Sequence, residues 1–246
     1  MIIGSAIRQY EKVSSTNDLA LVMLRNEKPA EGTVITAAFQ EGGRGQKGNT
    51  WDSEPGKNLL MSVILYPVMI RPEEQFIISQ MVSLAVYDLV RSETEEVKIK
   101  WPNDIYVRND KIAGILIEHS IMGNAISSTV AGIGLNVNQA EFRSILVNPV
   151  SLAQVTGRKH DLSIVTGELI RLLDMRYAMV INGRTDELAE DYHTCLYRRG
   201  EWHLYSDRNG EFRGMTERVG PGGMLIVRRE KGPVKGYAFK EIDYIL

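Results

Sequence analysis

Apolar and polar positions along the chain recur with periods that predict a succession of helices and strands. A short polar run precedes apolar residues at helical spacing, which predicts a helix over residues 16–25. Two short apolar runs, residues 33–39 and 58–66, predict buried strands. Pro72 suits the first turn of a helix, and apolar residues then recur on one helical face to about residue 92. The first third of the chain is therefore expected to mix helices with strands.

The centre of the chain is rich in predicted strands, and the end returns to them. Four strands joined by short turns are predicted at residues 97–101, 104–107, 111–121 and 125–138. This order is a β-meander and not an alternating β-α-β series. Helices are predicted at residues 152–155, 163–180 and 185–195, and short strands follow residue 201, with Asn209-Gly210 as a hairpin signal. We therefore predict an α+β domain over residues 1–197 and a small all-β domain over residues 198–246.

Composition excludes several classes of protein. With 29 basic and 31 acidic residues, the net charge of −2 argues against a protein whose main task is to bind nucleic acid. The single cysteine rules out an internal disulfide, and the four histidines lack zinc-ligand spacing. No run approaches the roughly 20 apolar residues of a membrane span, and the first residues lack the apolar core of a signal peptide. We expect a cytoplasmic protein without a membrane or DNA partner.

The segment at residues 41–51 has the least ordinary composition. Four glycines within residues 42–48 free the backbone to direct N–H groups at an anion, and Arg44 and Lys47 add positive charge. The segment matches neither a Walker A loop nor a dinucleotide-binding fingerprint. It suits phosphates, although a flexible surface loop would have similar glycines. Trp51, the last residue of the segment, would either stack on a base or pack in the core.

Two further segments carry polar or glycine residues where a strand would not need them. Pro102 must interrupt strand pairing, which leaves Asn103 and Asp104 either at the rim of the sheet or in an ordinary turn. Gly114 and Gly132 lie inside successive predicted strands, where glycine weakens pairing unless a ligand or another backbone approaches closely. Lys111 precedes the first of these glycines and is either a site cation or a solvated hairpin lysine.

Five segments in this order resemble those of the biotin protein ligases. They are Ser14-Ser-Thr-Asn-Asp18, Gly43-Arg-Gly-Gln-Lys-Gly-Asn-Thr-Trp51, Lys100-Trp-Pro-Asn-Asp104, Lys111-Ile-Ala-Gly-Ile-Leu-Ile-Glu118 and Gly132-Ile-Gly-Leu-Asn-Val-Asn138. The resemblance covers about residues 10–140. It implies a mixed β-sheet with helices on one face, as in class II aminoacyl-tRNA synthetases and biotin ligases, plus a small C-terminal SH3-like β-barrel. The first motif begins at residue 14, which predicts the monofunctional type without an N-terminal DNA-binding domain.

The resemblance also implies a reaction in two steps. Biotin and Mg-ATP would give biotinyl-5′-adenylate and pyrophosphate, and a lysine of a biotin carboxyl carrier protein, or of the equivalent domain of a biotin-dependent carboxylase, would then take the biotinyl group. The implied substrates are ATP and biotin, with Mg²⁺ as the metal, and the enzyme would be a monomer or a homodimer.

The positions of the motifs imply three groups of site residues. Those expected to be catalytic are Arg44, Lys111 and Asp104. Those expected to bind biotin are Ser15, Thr16, Asn17, Gln40, Gly43, Arg44, Lys111, Gly114, Ile115, Leu116 and Gly132. Those expected to bind the nucleotide are Arg44, Gln46, Lys47, Trp51, Asn103, Lys111 and Asn136. The metal ligands are left unassigned, although the carboxylate of Asp104 is a candidate.

The loop departs from the common family pattern at two positions. Gln46 stands where a second arginine usually follows Arg-Gly, and Asn49 stands where another basic residue is usual. A neutral amide forms weaker hydrogen bonds to a phosphate than a guanidinium does. We therefore expect this chain to retain its adenylate less tightly than its relatives do.

Two other functions compete with this interpretation. A lipoate–protein ligase or octanoyltransferase would share the domain, but its acyl tail lacks the ureido ring and such relatives generally lack the loop ending in Trp51. A non-catalytic biotin sensor would keep Ser15–Asn17 and Gln40 but would not need Arg44, Lys111 and Trp51. The presence of all these residues together favours the enzyme.

Overall fold

The computed structural model describes residues 1–46, 49–143 and 148–245. The helices are α1 (Thr16–Asn26), α2 (Phe76–Arg91), α3 (Leu152–Thr156), α4 (Leu162–Ile181) and α5 (Thr185–Thr194). The strands are β1 (Ile7–Val13), β2 (Val34–Gln40), β3 (Leu59–Leu65), β4 (Val97–Lys100), β5 (Asp104–Val107), β6 (Asp110–Met122), β7 (Ala125–Leu135), β8 (Trp202–Asp207), β9 (Gly210–Val219), β10 (Leu225–Arg229), β11 (Val234–Tyr237) and β12 (Ile242–Tyr244).

The first sheet is mixed and contains seven strands. Its order is β1-β2-β3-β7-β6-β5-β4. β1 and β2 are parallel and are connected through α1, whereas the other neighbouring strands are antiparallel. Strands β4 to β7 follow each other as the predicted meander. The α+β class and the mixed sheet are confirmed.

The two faces of this sheet are covered by different helices. Val63 faces the large core formed with α2 and α4, and α5 packs on α2. The next residue, Ile64, faces a smaller core with Ala20 and Met23 of α1. Because successive strand residues point to opposite faces, α1 lies on the face opposite to α2 and α4. The resemblance implied helices on one face, and α1 departs from that expectation.

The second sheet contains the last five strands. It is antiparallel, in the order β11-β10-β9-β8-β12. β8 and β11 are three positions apart, yet Asp207 Oδ2 of β8 accepts hydrogen bonds from Tyr237 Oη (3.2 Å) and Lys235 Nζ (3.4 Å) of β11. The sheet must therefore curve strongly, as a small barrel requires. Within the described residues, its end strands β11 and β12 are not hydrogen-bonded to each other.

The two sheets share one hydrophobic core. Tyr205 and Tyr237 of the second sheet belong to the same buried cluster as Val63 of the first. At the seam, Trp101 Nε1 donates to the carbonyl of Gly223 at 2.9 Å. The predicted domains, residues 1–197 and 198–246, thus correspond to two sheets on a continuous core, and the boundary between them stays a prediction.

The structure differs from the sequence-based predictions in two features. β1 was not predicted, because its residues alternate in exposure at the sheet edge and carry four charged or polar side chains among seven. The helix expected from Pro72 begins as a 3-10 turn at Pro72–Glu74 before α2 starts at Phe76. None of the described helices has the length and hydropathy needed to cross a membrane.

Candidate active site

A cavity of about 400 Å³ opens on the face of the first sheet that carries α1. Most residues predicted for the site line it: Ser15, Thr16, Asn17, Gln40, Arg44, Gln46, Trp51, Asn103, Asp104, Lys111, Gly114, Ile115, Leu116 and Gly132. Segments far apart in the sequence thus meet at one place. Lys47 lies outside the described residues.

The first turn of α1 supplies the polar head of the cavity. Ser15 is the N-cap of the helix and its side chain accepts from the N–H of Asp18, as capping requires. Gln40, at the end of β2, accepts through Oε1 from Thr16 N (2.7 Å) and from Thr16 Oγ1 (3.0 Å). Ser62 of β3 lies beneath and is fully buried. Its Oγ bonds Thr16 Oγ1 (2.8 Å) and Asn17 Oδ1 (2.6 Å).

The polar head of the cavity has hydrogen-bond donors and acceptors that are available to a ligand. Within the described part of the chain, the Ser15 hydroxyl proton and both N–H groups of Gln40 Nε2 have no hydrogen-bond acceptor. Ser62 has a single hydroxyl proton for these two contacts, so Thr16 Oγ1 and Asn17 Oδ1 each keep at least one lone pair for a ligand. The head therefore presents neutral donors and neutral acceptors side by side.

Glycines of β6 and β7 form the floor of the cavity. Gly114 pairs with Gly134, and Leu116 pairs with Gly132. A Cβ atom on Gly134 would lie 2.7 Å from Trp51 Nε1, and one on Gly114 would lie 2.9 Å from Trp51 Cζ3. A Cβ on Gly132 would instead collide with the Asn17 amide. The glycines are therefore required by the close approach of the Trp51 and Asn17 side chains, whereas the sequence predicted that a ligand or another backbone would approach Gly114 and Gly132.

The Trp51 indole packs against this floor, and the edge that carries its N–H group is buried. Its Nε1 is inaccessible and has no hydrogen-bond partner in the described structure. Leaving such a donor unpaired is unfavourable by about 1–3 kcal/mol. The indole is held by the loop that precedes it, where Arg44 and Thr50 form a β-bridge and Trp51 N donates to Gly43 O.

Two of the cations that line the cavity, Arg44 and Lys111, are each paired with a carboxylate. Arg44 Nη2 lies 2.7 Å from Asp18 Oδ1 and 2.8 Å from Glu118 Oε2. Lys111 Nζ lies 2.7 Å from Asp104 Oδ1, and 5.9 Å from the centre of the Trp51 ring. All three residues expected to be catalytic thus lie on the cavity wall, although their roles stay predictions.

The turn before β5 is fixed to β6 by paired hydrogen bonds. Asn103 Nδ2 donates to Ile115 O at 2.5 Å, and Ile115 N donates to Asn103 O at 3.0 Å. The Asn103 side chain therefore holds the rim in place and keeps its Oδ1 for other partners.

Residues 10–138, slightly more than half of the chain, match the model of the biotin/lipoate A/B protein ligase family. The chain belongs to this family.

Relatives with curated names extend the likeness beyond the matched segment. The chain is 31% identical over 196 residues to a biotin–[acetyl-CoA-carboxylase] ligase of Mycobacterium tuberculosis, which covers 77% of this chain and 71% of that protein. It is 28% identical over 241 residues to the bifunctional ligase/repressor BirA of Bacillus subtilis, covering 96% of this chain and 74% of the relative. Both names describe ligases.

The fold is shared with a biotin protein ligase from Aquifex aeolicus that was solved in complex with biotin and ATP. The TM-score is 0.81, with 97% of this chain and 98% of that chain covered. At 24% identity the likeness establishes the fold. The α+β class with a C-terminal β-sheet, expected from the family resemblance, is confirmed.

Two predicted residues of this family site lie off the cavity wall. Gly43 sits behind it, where a Cβ would meet Trp51 O and lie 3.1 Å from Gln40 Nε2. Asn136 is buried beside it, and its Nδ2 donates to Val150 O at 3.1 Å. The structure therefore shows Asn136 joining β7 to the chain before α3, and does not place it at the nucleotide.

The cavity also contains residues that were not predicted from the sequence. The C-terminal sheet contributes Phe239, Lys240, Ile242, Asp243 and Tyr244. Nothing in their local sequence marks them, because only the seam between the two sheets brings them to the cavity. Lys100 also lines the cavity and lies inside a motif of the family resemblance. Asp18 and Glu118 lie inside such motifs as well, but they contact Arg44 without lining the cavity.

Lys100 is a half-buried cation on the cavity wall. Its Nζ donates to Tyr106 Oη at 3.0 Å and lies 5.2 Å from the centre of the Tyr244 ring. Burial lowers the pKa of Lys100, and the negative charge of Asp104 partly opposes this effect. Desolvation of an ammonium group has this direction in general. Lys100 therefore adds a third positive charge near Lys111.

The described residues contain no group of three or more histidine, cysteine, aspartate or glutamate side chains arranged to hold a metal ion. Two carboxylates, Asp104 and Asp243, nevertheless line the cavity. Mg²⁺ is commonly bound by one or two carboxylates together with substrate phosphates. The donor set therefore fits a metal that arrives with a nucleotide.

Proposed function

We propose that this protein is an ATP-dependent biotin–protein ligase. It activates biotin as biotinyl-5′-adenylate and transfers the biotinyl group to a lysine of a biotin carboxyl carrier protein. The observation that carries this proposal is one cavity with a neutral polar head, a glycine floor and cations at its far side. The names of the relatives, and the biotin and ATP bound to the Aquifex aeolicus enzyme, support the same conclusion.

The head of the cavity suits the ureido ring of biotin. That ring has one carbonyl acceptor and two N–H donors. The Ser15 hydroxyl and Gln40 Nε2 donate to the carbonyl, while Thr16 Oγ1 and Asn17 Oδ1 accept from the N–H groups. Neutral partners suffice because the ring carries no charge. The aliphatic tail then runs along the floor at Ile115, Leu116 and Gly132, beside the Trp51 indole that covers Gly114.

In the first step, two anions must approach each other. A carboxylate oxygen of biotin attacks the α-phosphorus of ATP, the bond from this phosphorus to the β-phosphate oxygen breaks, and pyrophosphate leaves. Arg44 and Lys111 reduce the repulsion by charge-assisted hydrogen bonds to the carboxylate and the α-phosphate. Asp104, bonded to Lys111 Nζ, holds this ammonium group on the cavity wall.

The nucleotide occupies the side of the cavity near Trp51 and the rim. Gln46, Trp51 and Asn103 line this side, and an indole offers a face for stacking on adenine. Asp104 or Asp243 would hold Mg²⁺ together with the phosphates, and the metal would supply positive charge to the leaving pyrophosphate. Lys100 lies next to the same carboxylates, and its positive charge would stabilise the negative charge of the polyphosphate.

In the second step, the ε-amine of the acceptor lysine attacks the carbonyl carbon of the mixed anhydride. The bond from that carbon to the AMP oxygen breaks, and the nitrogen loses a proton to form the amide. Burial of the adenylate under the loop of residues 43–51 would protect the anhydride from water.

Since Cys195 is the single cysteine and is buried, the chain suits the reducing cytoplasm, where we place the reaction.

The competing functions fit the cavity less well. A lipoyl or octanoyl tail has no ureido ring, so the donors and acceptors at Ser15, Thr16 and Gln40 would be left without partners. A biotin sensor would not need the pair of Lys111 and Asp104 on the cavity wall.

The test is the mass of a carrier domain incubated with biotin, Mg-ATP and this protein. We expect one biotinyl group on one lysine, and no change when ATP or biotin is omitted. A carrier domain of unchanged mass, with enzyme that is folded by circular dichroism, would contradict the proposal. Lipoate and octanoate, supplied in place of biotin, test the nearest alternative directly.

A further inference from the structure

Two carboxylates lie at the place where the proposed reaction brings anions together. Asp18 and Glu118 both contact Arg44, so the three side chains carry a net charge of −1. Carboxylates at this position oppose the binding of biotin carboxylate and phosphate. Their presence needs a reason other than substrate binding, and the geometry of Arg44 supplies one.

A single nitrogen of Arg44 makes both contacts. Nη2 lies between Asp18 Oδ1 (2.7 Å) and Glu118 Oε2 (2.8 Å). Among residues 1–46, 49–143 and 148–245, the other guanidinium nitrogens, Nε and Nη1, have no hydrogen-bond partner. Because the guanidinium is planar and rigid, fixing Nη2 also fixes the direction in which Nε and Nη1 donate. The carboxylates thus orient the free donors of Arg44.

Glu118 makes a second contact that Asp18 does not. The same oxygen, Glu118 Oε2, accepts from Asn17 Nδ2 at 2.8 Å, and Asn17 Nδ2 also donates to Leu116 O at 3.2 Å. With Asn17 Oδ1 held by Ser62, the orientation of the Asn17 amide is fully determined. One carboxylate oxygen therefore connects the amide at the head of the cavity to the cation of the loop.

We propose that Glu118 is a positioning residue that aligns Arg44 with Asn17, and that Asp18 is a second holder of Arg44 alone. Glu118 acts through these two side chains and does not touch the substrate. The proposed consequence for biotin and its adenylate rests on the proposed function, whereas the hold on Arg44 is a property of the ligand-free chain.

The hold on Arg44 is tested first, without any substrate. Trypsin cleaves after arginine, and cleavage of a structured segment follows the population of its open form. In Glu118→Gln and in Asp18→Asn, cleavage after Arg44 should be about three- to ten-fold faster than in the wild type. The control is Glu230→Gln, which breaks the remote pair of Glu230 with Arg213 (2.9 Å). Wild-type cleavage rates in both site variants, by mass spectrometry of the peptides, would overturn the positioning role.

The connection to Asn17 is tested by comparing the same two variants in the reaction. Glu118→Gln should raise KM for biotin by about three- to ten-fold, because Asn17 loses a charged acceptor, and it should speed adenylate release. Asp18→Asn should also speed release, but it should raise KM for biotin less than Glu118→Gln does, because it loosens Arg44 alone. Equal effects of both variants on KM would show that Glu118 has no separate connection to Asn17.

A double substitution separates positioning from a general structural effect. In an Arg44→Ala background, Glu118→Gln should not speed adenylate release any further, because its effect on release acts through Arg44. An undiminished effect in that background would overturn the proposal. If the wild type forms no adenylate at all, the proposed function fails, while the trypsin comparison still decides whether Glu118 and Asp18 hold Arg44.

Discussion

Single side chains decide what this cavity admits, and the glycines of the floor are the clearest case. Gly134 has Trp51 directly above it, so any larger residue would compete with the indole for the same space. Trp51 is a side chain on a loop, and moving it relieves the collision without distorting the sheet. A change at Gly134 should therefore affect the site more than the fold.

We predict that Gly134→Ala displaces the Trp51 indole and weakens biotin-dependent activity. Overpacking of this kind costs about 1–3 kcal/mol, which corresponds to roughly 5- to 150-fold in binding. Tryptophan emission should change in the ligand-free protein, with a melting temperature close to that of the wild type. Gly167→Ala is the matched control, because no atom lies within 4 Å of a Cβ placed there in α4. Unchanged activity in folded Gly134→Ala would contradict this account of the floor.

Sequence reasoning finds some of these residues and not others. Gly114 and Gly132 attract notice because glycine weakens a strand. Ser62 does not, since it is one serine within the apolar run of β3, and its contacts with Thr16 and Asn17 arise only when α1 packs on the sheet. Glu118 and Asp18 lie inside motifs of the family resemblance, but their common contact with Arg44 joins three separate segments.

At the scale of elements, local patterns predict most helices and strands but not their arrangement. The amphipathic pattern of α1 predicts a buried face, yet it does not say which side of the sheet that face covers. The placement of α1 opposite α2 is what opens the cavity beside the helix N-terminus. β1 was not predicted, because a strand at a sheet edge keeps polar residues on much of its surface and so lacks a clear apolar pattern.

The β6–β7 pair carries a titratable group that makes the stability of the fold depend on pH. His119 pairs with Thr129 across the two strands, and its Nδ1 lies 2.8 Å from Thr129 Oγ1. Burial lowers the pKa of His119 from its ordinary value of 6.5. Between pH 6.5 and the lower pKa of the folded chain, the unfolded chain therefore binds a proton that the folded chain does not. The free energy of unfolding must decrease as the pH decreases through this range.

We predict that His119→Asn reduces this dependence. Each such proton contributes at most about 1.4 kcal/mol per pH unit. Urea unfolding of the wild type and the variant between pH 7.5 and pH 5.5 should show the wild type losing more stability as the pH falls. Some dependence should remain in the variant, because burial also lowers the pKa of His193. Parallel curves would show that His119 does not contribute.

At the scale of the whole molecule, the C-terminal sheet belongs to both the core and the cavity. Sequence reasoning predicts its strands from turn signals such as Asn209-Gly210. It does not predict that Asp243 and Tyr244 reach the cavity, because that depends on how the second sheet seats against the first. The seam includes Trp101, Phe76 and the turn at Gly223. We therefore expect the two sheets to unfold together.

The glycines of this turn provide a matched pair of substitutions. Gly222 and Gly223 both have positive φ, 66° and 80°, so alanine is strained at either, by about 1–2 kcal/mol. Only at Gly223 would the new Cβ also approach Phe76, at 2.7 Å from Cγ. We predict that Gly223→Ala destabilises by about 1–3 kcal/mol more than Gly222→Ala. Hydrogen exchange should show both sheets losing protection together, whereas loss confined to β8–β12 would contradict a shared core.

The most direct test of the proposed function is biotin-dependent exchange of labelled pyrophosphate into ATP. We predict exchange by the wild type with biotin, and none with lipoate or octanoate. Lys111→Ala should reduce the rate roughly 10- to 150-fold, because a charged hydrogen bond contributes about 1.5–3 kcal/mol. Lys98→Ala, on the exposed side of β4, should exchange at the wild-type rate. Absence of biotin-dependent exchange in folded wild type, or exchange with lipoate or octanoate in place of biotin, would contradict the account.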